Sequence, residues 1–553
     1  MKKNPLKKKP RLNFIQKIVL QDLKNKKCNN IQTRFPPEPN GFLHIGHAKS
    51  MHLNFGIAKK YNGICNLRFD DTNPKKENSQ YIDIIKSNIK WLGFKWKKIY
   101  FTSQKFEKIY QYALILIKKN LAYVDQLSKD DIKKYRGTLQ QPGKNSPFRN
   151  QTIEENLILF EKMKSGHFSE GSACLRAKID MKSPFIIMRD PVLYRIMFVK
   201  HHQTKKKWCI YPLYDFSHCI SDALEGVTHS LCTLEFQENR KLYNWILENI
   251  ESINKPMQYE YSRLNLEYSI LSKRKLSVLV QKKIVSGWDD PRMPTISGLK
   301  KRGFTPNSIQ DFCRRIGFTK KEHYIELDLL ENCIRNDLNK NTPRTMAIIN
   351  PLKLIISNMS EDYKENIFIP YHPKESSMGI NRITLSKEIY IDQSDFSENS
   401  IPGYKRLVLG KTVKLRYSFV IKAIEIKKDK NKKIDTVICI YKKNKLQNKE
   451  KVEKFNGIIH WISKEDIFPA KFFLYDRIFN VKFPELKKDF LNYINNKSLI
   501  IKNGFINKNI LKNKNFNTYQ FEREGYFFLN ENKINSKKLI FNRIVSLKKK
   551  WKK

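Results

Sequence analysis

Hydrophobic residues in the first hundred positions alternate between helical and strand spacing. The prolines and the Asn-Gly pair at 36–41 force a turn between two of these segments. The spacing predicts a helix over 14–27, a strand over 31–35, a helix over 44–61, a strand over 65–69 and a helix over 79–92. The order strand, turn, helix, strand, helix is typical of a parallel sheet, so we expect an α/β domain here.

The pattern changes further along the chain. Residues from about 100 to 210 are mixed and predict an inserted domain, after which runs at 208–214 and 215–224 resume the strand–helix alternation. Residues 265–345 are mainly helical in pattern. Short alternating runs follow at 412–417, 435–441 and 457–463 and predict β-barrels or a sandwich. The Lys/Asn-rich stretch 503–517 predicts a mobile loop.

Charge adds a candidate partner to this picture. The chain has 553 residues, with 106 basic against 54 acidic side chains and a formal net charge of +52. Such a charge attracts nucleic acid. The excess is mostly Lys accompanied by Asn and Ile, so drift toward A/T-rich codons is an equally good explanation for much of it. The length requires several domains, and the 40% apolar content argues against global disorder.

Cysteine usage and the chain start bear on the compartment. The nine cysteines are scattered and form no C-x-x-C pair, which argues against a zinc ribbon and suits a reducing cytosol. No apolar run reaches the roughly 20 residues that a membrane span needs. The basic start lacks the apolar segment of a secretory signal and suits a solvated arm better than an organelle presequence. We therefore expect a cytoplasmic protein with no membrane partner.

The segment His44-Ile45-Gly46-His47 is the strongest chemical signal. It lies where a helix should begin, and helix N-termini offer free backbone N–H groups and a positive dipole end to a polyphosphate. Gly46 lets a nucleotide approach the backbone, and the two histidines, three residues apart, lie on one face. Chance would produce such a match only about 0.008 times in a chain of this composition.

The segment Leu271–Lys275 is a weaker signal. Taken alone, Leu-Ser-Lys-Arg-Lys is better explained as a solvated charge run in so basic a chain. It gains meaning from the first segment, because a lysine here could neutralise the charge that develops on a leaving pyrophosphate.

Together the two segments resemble the paired signatures of class I aminoacyl-tRNA synthetases, and their surroundings resemble glutaminyl-tRNA synthetases. The similar stretches are 33–61, 67–77, 135–150, 174–196, 208–240, 288–304 and 520–527. The resemblance is closer through residue 345 than after it. It implies a monomeric enzyme that activates glutamine with ATP, accompanied by Mg²⁺, and transfers it to tRNA(Gln) by positioning and charge stabilisation without a covalent nucleophile.

The resemblance also implies an architecture. The implied fold is an α/β Rossmann-like catalytic domain with an inserted acceptor-binding domain, a helical subdomain and C-terminal β-barrel anticodon-binding domains. The implied boundaries are 1–27 for the basic N-terminal arm and helix, 28–100 and 211–264 for the catalytic domain, 101–210 for the acceptor-stem-binding insertion, 265–345 for the helical subdomain and 346–553 for two barrels.

Site residues follow by similarity. His44, His47 and Lys273 would be catalytic. ATP would be bound by Glu38, Pro39, Asn40, His44, Ile45, Gly46, His47, Ala48, Lys49, Ser50, Thr233, Arg263, Leu264, Leu271, Ser272 and Lys273. Glutamine would be bound by Asp70, Tyr214, Arg34 and Cys232, with His218 and Gln258 as second-line candidates. Without the family, Asp70 would be read as a turn or N-cap carboxylate and Tyr214 as a core aromatic. No metal ligands are predicted.

One position separates glutamine from glutamate. Glutamyl enzymes typically place an Arg where this chain has Cys232, and a buried glutamate side chain would need such a cation. The neutral thiol therefore favours glutamine. A glutamyl or non-discriminating synthetase and a non-catalytic RNA-binding paralogue stay open as alternatives.

The implied RNA contacts are spread along the chain. The candidates are Thr319, Glu326, Arg344, Arg406, Lys414, Arg416 and Gln520. The insertion would grip the acceptor end, and the barrels would read splayed anticodon bases. Gly403 departs from the Gln that is common in the family, which puts one anticodon contact in doubt.

Overall fold

The protein is described by a computed structural model over residues 12–251, 254–442, 455–512, 515–530 and 538–547. The first part of the predicted basic arm, residues 1–11, lies outside these ranges. The chain divides into two compact units. The first comprises Met1–Leu266 and Gln310–Ile325, and the second comprises Glu267–Ile309 and Glu326–Lys553.

The first unit alternates helices and strands. Its helices are α1 (Phe14–Lys24), α2 (Ile45–Lys60), α3 (Ser79–Trp91), α4 (Phe106–Lys118), α5 (Lys129–Arg136), α6 (Ile153–Lys164), α7 (Tyr214–Glu225) and α8 (Asn239–Asn249). Its strands are β1 (Gln32–Phe35), β2 (Ile64–Phe69), β3 (Ile99–Phe101), β4 (Ala122–Asp125), β5 (Cys174–Ala177), β6 (Val192–Ile196), β7 (Ile210–Pro212), β8 (His229–Thr233), β9 (Met257–Tyr261), β10 (Asn265–Leu266) and β11 (Tyr324–Ile325).

The predicted parallel sheet is confirmed. β1 pairs in parallel with β2, and β2 pairs in parallel with β3, with α2 and α3 as the connecting helices. β8 and β9 form a second parallel pair. A core that includes Ile15, Ile31, Leu53 and Leu231 packs α1, α2 and these strands together. Because parallel strands end at one edge of a sheet, this part brings Phe35 and Phe69, and the residues after them, to a common side.

The insertion has its own sheet. β4, β5, β6 and β7 form four antiparallel strands, backed by α4 and α6 across a core that includes Phe106, Tyr110 and Phe160. The strand predicted at 208–214 is present as β7, but it pairs antiparallel with β6 and closes this sheet. We expected this strand to resume the parallel sheet, and that prediction is wrong. Only at α7 does the helical pattern predicted for 215–224 follow.

The second unit begins with short helices and continues as strands. Its helices are α9 (Lys273–Gln281), α10 (Ile296–Arg302), α11 (Pro306–Ile316, whose last residues belong to the first unit) and α12 (Leu327–Asn341). Its strands are β12 (Arg344–Thr345), β13 (Ala347–Ile348), β14 (Pro351–Ile356), β15 (Lys364–Pro370), β16 (Ile380–Ser386), β17 (Glu388–Asp392), β18 (Phe396–Ser397), β19 (Leu407–Val408), β20 (Thr412–Leu415), β21 (Val420–Lys428), β22 (Ile434–Lys442), β23 (Ile458–Ile459), β24 (Ile462–Ser463), β25 (Ile467–Tyr475), β26 (Leu499–Asn507), β27 (Thr518–Phe521), β28 (Gly525–Leu529) and β29 (Leu539–Val545).

These strands form two seven-stranded, barrel-like sheets. One has the order β23-β20-β21-β22-β14-β17-β24 and surrounds a core that includes the fully buried Trp461. The other has the order β12-β27-β28-β29-β25-β26-β13 and buries Phe472, Tyr519 and Phe521. The alternating runs therefore predicted the right class of structure. None of the helices in the described ranges combines the length and apolar content that crossing a bilayer requires.

The prediction of a mobile loop at 503–517 is wrong for its first part. β26 continues to Asn507 and pairs antiparallel with β25 over nine positions, and Lys508–Lys512 form a 3-10 helix. A Cβ on Gly504 would lie 2.0 Å from the carbonyl oxygen of Ile348 on β13, so β26 is closely flanked on its other side too. Backbone pairing on both edges holds this strand despite its polar side chains.

Candidate functional site

His44 and His47 lie at the start of α2, as predicted. The backbone N–H of His44 donates to Nδ1 of His47 at 3.0 Å, and the N–H of Gly46 donates to Nδ1 of His44 at 3.1 Å. The ring centroids are 3.9 Å apart. The two side chains thus cap the helix reciprocally, as a capping box does.

This arrangement corrects one expectation and adds a feature. The N–H groups of His44 and Gly46 are engaged by the imidazoles, so they are not the free donors that we expected at this helix start. Because each Nδ1 accepts a hydrogen bond, a neutral ring carries its proton on Nε2. Both histidines therefore offer an N–H donor at the same end of the helix, which suits phosphate oxygens.

Lys49, also predicted at the nucleotide site, is buried one turn further along α2. Its Nζ donates to the carbonyl oxygens of Ser262 at 2.6 Å and of Arg263 at 3.4 Å. Burial lowers the pKa of Lys49 to about 8. The lysine thus ties α2 to the segment that contains Arg263 and the buried Leu264, two further predicted nucleotide contacts.

Four of the predicted nucleotide residues, which are Glu38, Asn40, Thr233 and Arg263, are more exposed. Arg263 Nη1 donates to Glu235 at 2.8 Å, and Thr233 Oγ1 donates to the same carboxylate at 3.1 Å. At the start of the turn before α2, the Asn40 amide donates to Glu38. One carboxylate thus connects the end of β8 with the segment after β9, and both carry residues predicted to bind ATP.

The Leu271–Lys275 segment lies in the second unit. Lys273 is the first residue of α9, so only Leu271 and Ser272 precede the helix. The N–H of Leu271 donates to Glu485 Oε2 at 3.0 Å, and Nζ of Lys275 donates to the Glu485 carbonyl oxygen at 2.5 Å. The segment is therefore anchored on both sides of Lys273, the residue predicted to be catalytic.

A pocket in the first unit gathers most residues predicted for the amino acid. It is lined by Tyr214, Asp215, His218, Cys232, Phe236, Asn239, Tyr243 and Gln258. The Tyr214 ring stacks on His218 at 4.8 Å between centroids. The Gln258 amide donates to the Phe236 carbonyl oxygen at 3.0 Å and to Glu260 at 3.1 Å. The lining is aromatic and amide-bearing, which suits a small polar side chain.

Arg34, predicted to face the amino acid, lies behind this pocket. Its guanidinium donates to Asp222 Oδ1 at 3.0 Å, to Ser230 Oγ at 2.7 Å and to the Leu231 carbonyl oxygen at 2.9 Å. It reaches the pocket through His218, whose Nε2 lies 2.9 Å from Nη2. Arg34 is 1% exposed.

Arg34 belongs to a buried ion network. Arg68 donates to Asp222 at 2.7 Å and to Asp70 at 2.9 Å, and Glu225 pairs with both Arg68 and Lys105. The network holds three cationic and three anionic side chains, so their formal charges cancel: Arg34, Arg68, Lys105, Asp70, Asp222 and Glu225. No cation of this network is left over for an anionic ligand.

Asp70 stands out within the network. Its Oδ1 accepts from Arg68 and from Thr102 Oγ1 at 3.0 Å, but its buried Oδ2 accepts no hydrogen bond from any described residue. A buried carboxylate oxygen without a donor is costly unless a ligand supplies one. Asp70 is therefore ready to accept from an ammonium group.

Electrostatics keep three side chains of the pocket wall neutral. Burial raises the pKa of the Cys232 thiol to about 12 and the pKa of Tyr214 well above its ordinary value. Burial also lowers the pKa of His218 to about 4. All three side chains are uncharged at neutral pH.

A cavity in the second unit collects four of the predicted RNA contacts. It is lined by Arg344, Arg406, Arg416, Gln520, Glu522, Arg523, Glu524, Ser546 and Leu547. Arg344 and Gln520 are register partners on β12 and β27. Four arginines against two glutamates give the cavity a net positive lining, which suits a nucleotide.

Asp395 organises two of these arginines. Arg523 donates to both carboxylate oxygens at 2.6 Å, and Arg406 Nε lies 2.9 Å from Oδ1. His460 lies beside them, and burial lowers its pKa to about 4. Gly403 adopts φ 76°, a left-handed conformation that suits glycine, in the turn that precedes Arg406. This turn gives a reason for the departure at position 403.

Three other predicted RNA contacts lie elsewhere. Lys414 is on β20, two positions before Arg416, but does not line the cavity. Thr319 belongs to the first unit, where its Oγ1 donates to the Lys321 carbonyl oxygen at 2.9 Å. Glu326 is the N-cap of α12 in the second unit.

Sequence reasoning missed the residues that organise both pockets. Arg68 and Asp222 lie 154 positions apart, and Asp395 and Arg523 lie 128 apart. A signal existed for Arg68 alone, because a charged residue inside the apolar run of β2 needs a buried partner. Nothing local marks the aspartates.

Comparisons with known proteins agree with this geometry. A family model described as "tRNA synthetases class I (E and Q), catalytic domain" matches residues 30–340, and two "anti-codon binding domain" models of the same series match 342–442 and 458–530. The glutamine–tRNA ligase of Buchnera aphidicola subsp. Baizongia pistaciae (strain Bp) is 59% identical over 541 residues, covering 98% of each chain. That of Proteus mirabilis (strain HI4320) is 56% identical over 542 residues, covering 98% of this chain and 97% of its own.

Proposed function

Because the chain belongs to the family of class I tRNA synthetases for glutamate and glutamine, we propose that it ligates glutamine to tRNA for translation. The carboxylate of glutamine attacks the α-phosphorus of ATP, which gives glutaminyl-adenylate and releases pyrophosphate. A ribose hydroxyl at the 3′ end of tRNA(Gln) then takes the acyl group, and AMP leaves. This reaction needs aligned substrates and donors for developing charge, and no covalent nucleophile.

We assign phosphate binding to the start of α2. His44 and His47 hold each other's Nδ1 in cap hydrogen bonds, which supports a role for both Nε2–H groups as donors to phosphate oxygens. Lys49 positions the segment at 262–264 against α2, so adenosine contacts there are fixed relative to the histidines. Lys273 acts on the leaving pyrophosphate.

Recognition of glutamine falls to the pocket and to Asp70. The unpaired Oδ2 of Asp70 accepts from the α-ammonium group. Tyr214 and Gln258 line the end of the pocket that takes the glutamine side chain. Arg34 is a positioning residue, which acts through His218 and Asp222.

The observation that supports a preference for glutamine over glutamate is the charge balance of the buried network behind the pocket. Each cation of the buried network already faces a carboxylate, and Cys232 contributes a neutral thiol. A glutamate side chain would bury a charge without a partner, whereas the amide of glutamine needs only hydrogen bonds. The pocket therefore rejects glutamate by leaving its charge uncompensated.

RNA binding involves the second unit. The arginine-lined cavity suits a splayed anticodon base and its phosphate, with Arg344, Arg406, Arg416 and Gln520 as contacts. The antiparallel sheet of the insertion serves the acceptor end. We assign Mg²⁺ to ATP itself, as the counter-ion of its phosphates. A monomer in the cytoplasm completes the proposal.

Charging assays with Cys232→Arg test the specificity. The parent enzyme should charge tRNA with glutamine in strong preference to glutamate. Cys232→Arg should shift kcat/KM toward glutamate by at least tenfold, because it supplies the missing cation. Cys232→Ser, which keeps the site neutral, is the matched control and should keep the preference. A parent enzyme that charges glutamate faster would overturn the proposal.

ATP–pyrophosphate exchange separates the alternatives. Enzymes of the glutaminyl type need tRNA for this step, so we expect exchange with glutamine only when tRNA(Gln) is present. Exchange driven equally by glutamate would favour a non-discriminating enzyme. A folded chain that binds tRNA and shows no exchange with either amino acid would favour a non-catalytic paralogue.

A further inference from the structure

A long connection in the second unit packs against the segment that contains Lys273. Residues 476–498 join β25 to β26, and the buried Ile478 in this connection belongs to the same apolar core as Ile270 and Leu276. Lys273 lies between those last two core residues, at the start of α9. The surroundings of the predicted catalytic lysine are therefore built in part by a segment that is distant in the sequence.

Glu485, a residue of the β25–β26 connection, contacts the chain on both sides of Lys273. Its Oε2 accepts a hydrogen bond from the N–H of Leu271 at 3.0 Å, and its main-chain carbonyl oxygen accepts one from Nζ of Lys275 at 2.5 Å. The same Nζ lies 3.7 Å from Oε1 of Glu485. Glu485 thus binds the chain before and after Lys273 through both its side chain and its backbone.

The start of α9 depends on this distant carboxylate. Ser272 is the N-cap, and within the described part of the chain its side chain makes no cap hydrogen bond, although a serine at this position usually accepts one from the first turn. The carboxylate of Glu485 accepts from the N–H of the residue before Ser272 and lies near the positive end of the helix dipole. Because Lys273 is the first residue of α9, the contact that fixes this helix start also fixes the backbone of Lys273.

Other contacts of the connection hold the chain that precedes α9. The N–H of Tyr268 donates to the Lys482 carbonyl oxygen at 2.8 Å, and Nζ of Lys482 lies 2.9 Å from Oε1 of Glu267. The guanidinium of Arg477 lies 3.6 Å from the centroid of the Tyr268 ring. These contacts do not involve the side chain of Glu485, so its removal should act locally, on the start of α9.

The exposure of the groups decides which contact of Glu485 matters most. The side chains of Glu485 and Lys275 are 23% and 26% exposed, and an ion pair at 3.7 Å in such a setting adds little to stability. The hydrogen bond from Leu271 to the carboxylate is shorter and charge-assisted, and it fixes a direction as well as a distance. Glu485 therefore affects the geometry around Lys273 more than the stability of the second unit.

We propose that Glu485 is a positioning residue for the first step of the reaction, which holds the start of α9 so that Lys273 meets the charge that develops on the leaving pyrophosphate. This inference rests on the function proposed above for Lys273. Glu485 acts through the backbone of Leu271 and needs no contact with a substrate. Because the charge on pyrophosphate develops in the transition state, a misplaced Lys273 lowers kcat and leaves the binding of glutamine unchanged.

Rates of ATP–pyrophosphate exchange, with glutamine and tRNA(Gln) present, test this role in the full chain. Glu485→Ala should lower kcat about tenfold and change KM for glutamine by less than about twofold. Glu485→Gln keeps an oxygen acceptor for the N–H of Leu271 and should stay within about threefold of the parent kcat. An Ala variant as fast as the parent, or a Gln variant as slow as the Ala variant, would overturn the proposal.

A second carboxylate of the connection provides the matched control. Asp489 is exposed, and its side chain makes no cap hydrogen bond within the described residues, so Asp489→Ala should exchange as the parent does. Glu485→Ala and Asp489→Ala should both melt within about 3 °C of the parent. A slow Glu485→Ala that also melts far below the parent would make the role of Glu485 structural and would contradict the positioning role.

A double-variant cycle shows whether Glu485 acts through Lys273. Lys273→Ala should slow exchange more than Glu485→Ala does, and the combined variant should be less than about twofold slower than Lys273→Ala. Losses that multiply would mean that Glu485 acts independently of Lys273, against the proposal. If Lys273→Ala exchanges like the parent, the proposed function of Lys273 fails and the positioning role fails with it. If Lys273→Ala is slow and Glu485→Ala is not, the positioning role alone fails.

Discussion

Two buried aspartates, one in each unit, organise a pair of arginines in the same manner but with opposite exposure. In the first unit Asp222 accepts from Arg34 and Arg68, whose side chains are 1% and 0% exposed. In the second, Asp395 accepts from Arg406 and Arg523, whose side chains are 34% and 28% exposed. A histidine with a pKa of about 4 lies beside each aspartate.

The difference in exposure matches a difference in task. Within the first cluster, guanidinium and carboxylate charges cancel in a dry environment, so the cluster fixes geometry and leaves no unpaired cation for the neighbouring pocket. The second cluster holds each guanidinium by one carboxylate and keeps part of its donor fork open to the cavity. An aspartate that holds two arginines thus helps to exclude an anionic ligand in the first unit and to bind one in the second unit.

Removing the carboxylate of the dry cluster should have the largest effect. Asp222→Asn leaves Arg34 and Arg68 buried with too little negative charge, and we expect it to lower the free energy of unfolding of the first unit by about 3–5 kcal/mol. Urea unfolding followed by circular dichroism measures this loss. Asp83→Asn, at an 86% exposed position, is the control and should change stability by less than about 0.5 kcal/mol. If Asp222→Asn lowers the free energy of unfolding by no more than Asp83→Asn does, the charges of the buried cluster do not depend on one another.

Acid should weaken both clusters through their histidines. Burial holds the pKa of His218 and His460 at about 4 in the folded protein, against about 6.5 when unfolded. The unfolded chain therefore binds more protons, so stability is complete above pH 6.5 and falls as the pH drops toward 4. The loss is at most about 3 kcal/mol for each histidine.

Urea unfolding at pH 7, 6 and 5 checks this acid sensitivity. His218→Gln and His460→Gln should each show a smaller loss of stability between pH 7 and pH 5 than the parent. His323→Gln, a change at an exposed histidine, should keep the parent's slope. An unchanged slope in His218→Gln would mean that His218 is protonated in the native state.

The open cluster should respond in binding more than in stability. Asp395→Asn releases Arg406 and Arg523 from their charged acceptor, and we expect about a tenfold rise in KM for tRNA, which corresponds to about 1.4 kcal/mol, with little change in kcat. Aminoacylation kinetics at several tRNA concentrations measure both. Glu425→Gln, on the exposed face of β21, should leave KM unaltered. A stability loss as large as that of Asp222→Asn would remove the distinction between the clusters.

The clusters also mark how far the sequence predicts this molecule. Local patterns were sufficient for α2, α3 and the parallel strands, because helix spacing and turn residues are short-range signals. The pairing of β7 with β6 and the extent of β26 depend on distant partners, and in β26 the Lys and Asn side chains obscure the strand pattern.

The same limit applies within the sites. Tyr214, Cys232 and three of the four cavity arginines were found through the resemblance, and the structure places them around two pockets. Asp222 and Asp395 were not found, since nothing within a few residues of either shows that two arginines converge on it. A carboxylate that acts through long-range pairing has no local signature.

The salt dependence of tRNA binding should show the smallest effect. It separates basic residues that bind RNA from those whose charge reflects only the composition of the chain. Binding of tRNA should weaken steeply with salt, and Arg523→Gln should reduce the slope of log K against log[salt] by about 1, or about twofold between 0.1 and 0.2 M salt. Lys430→Gln and Lys432→Gln together, in the exposed turn between β21 and β22, should leave the slope unchanged. Fluorescence titration of labelled tRNA at four salt concentrations measures these slopes. A reduced slope in the turn variant would assign those lysines to the RNA-binding surface, whereas an unchanged one attributes their charge to composition and leaves the slope to the arginine-lined cavity.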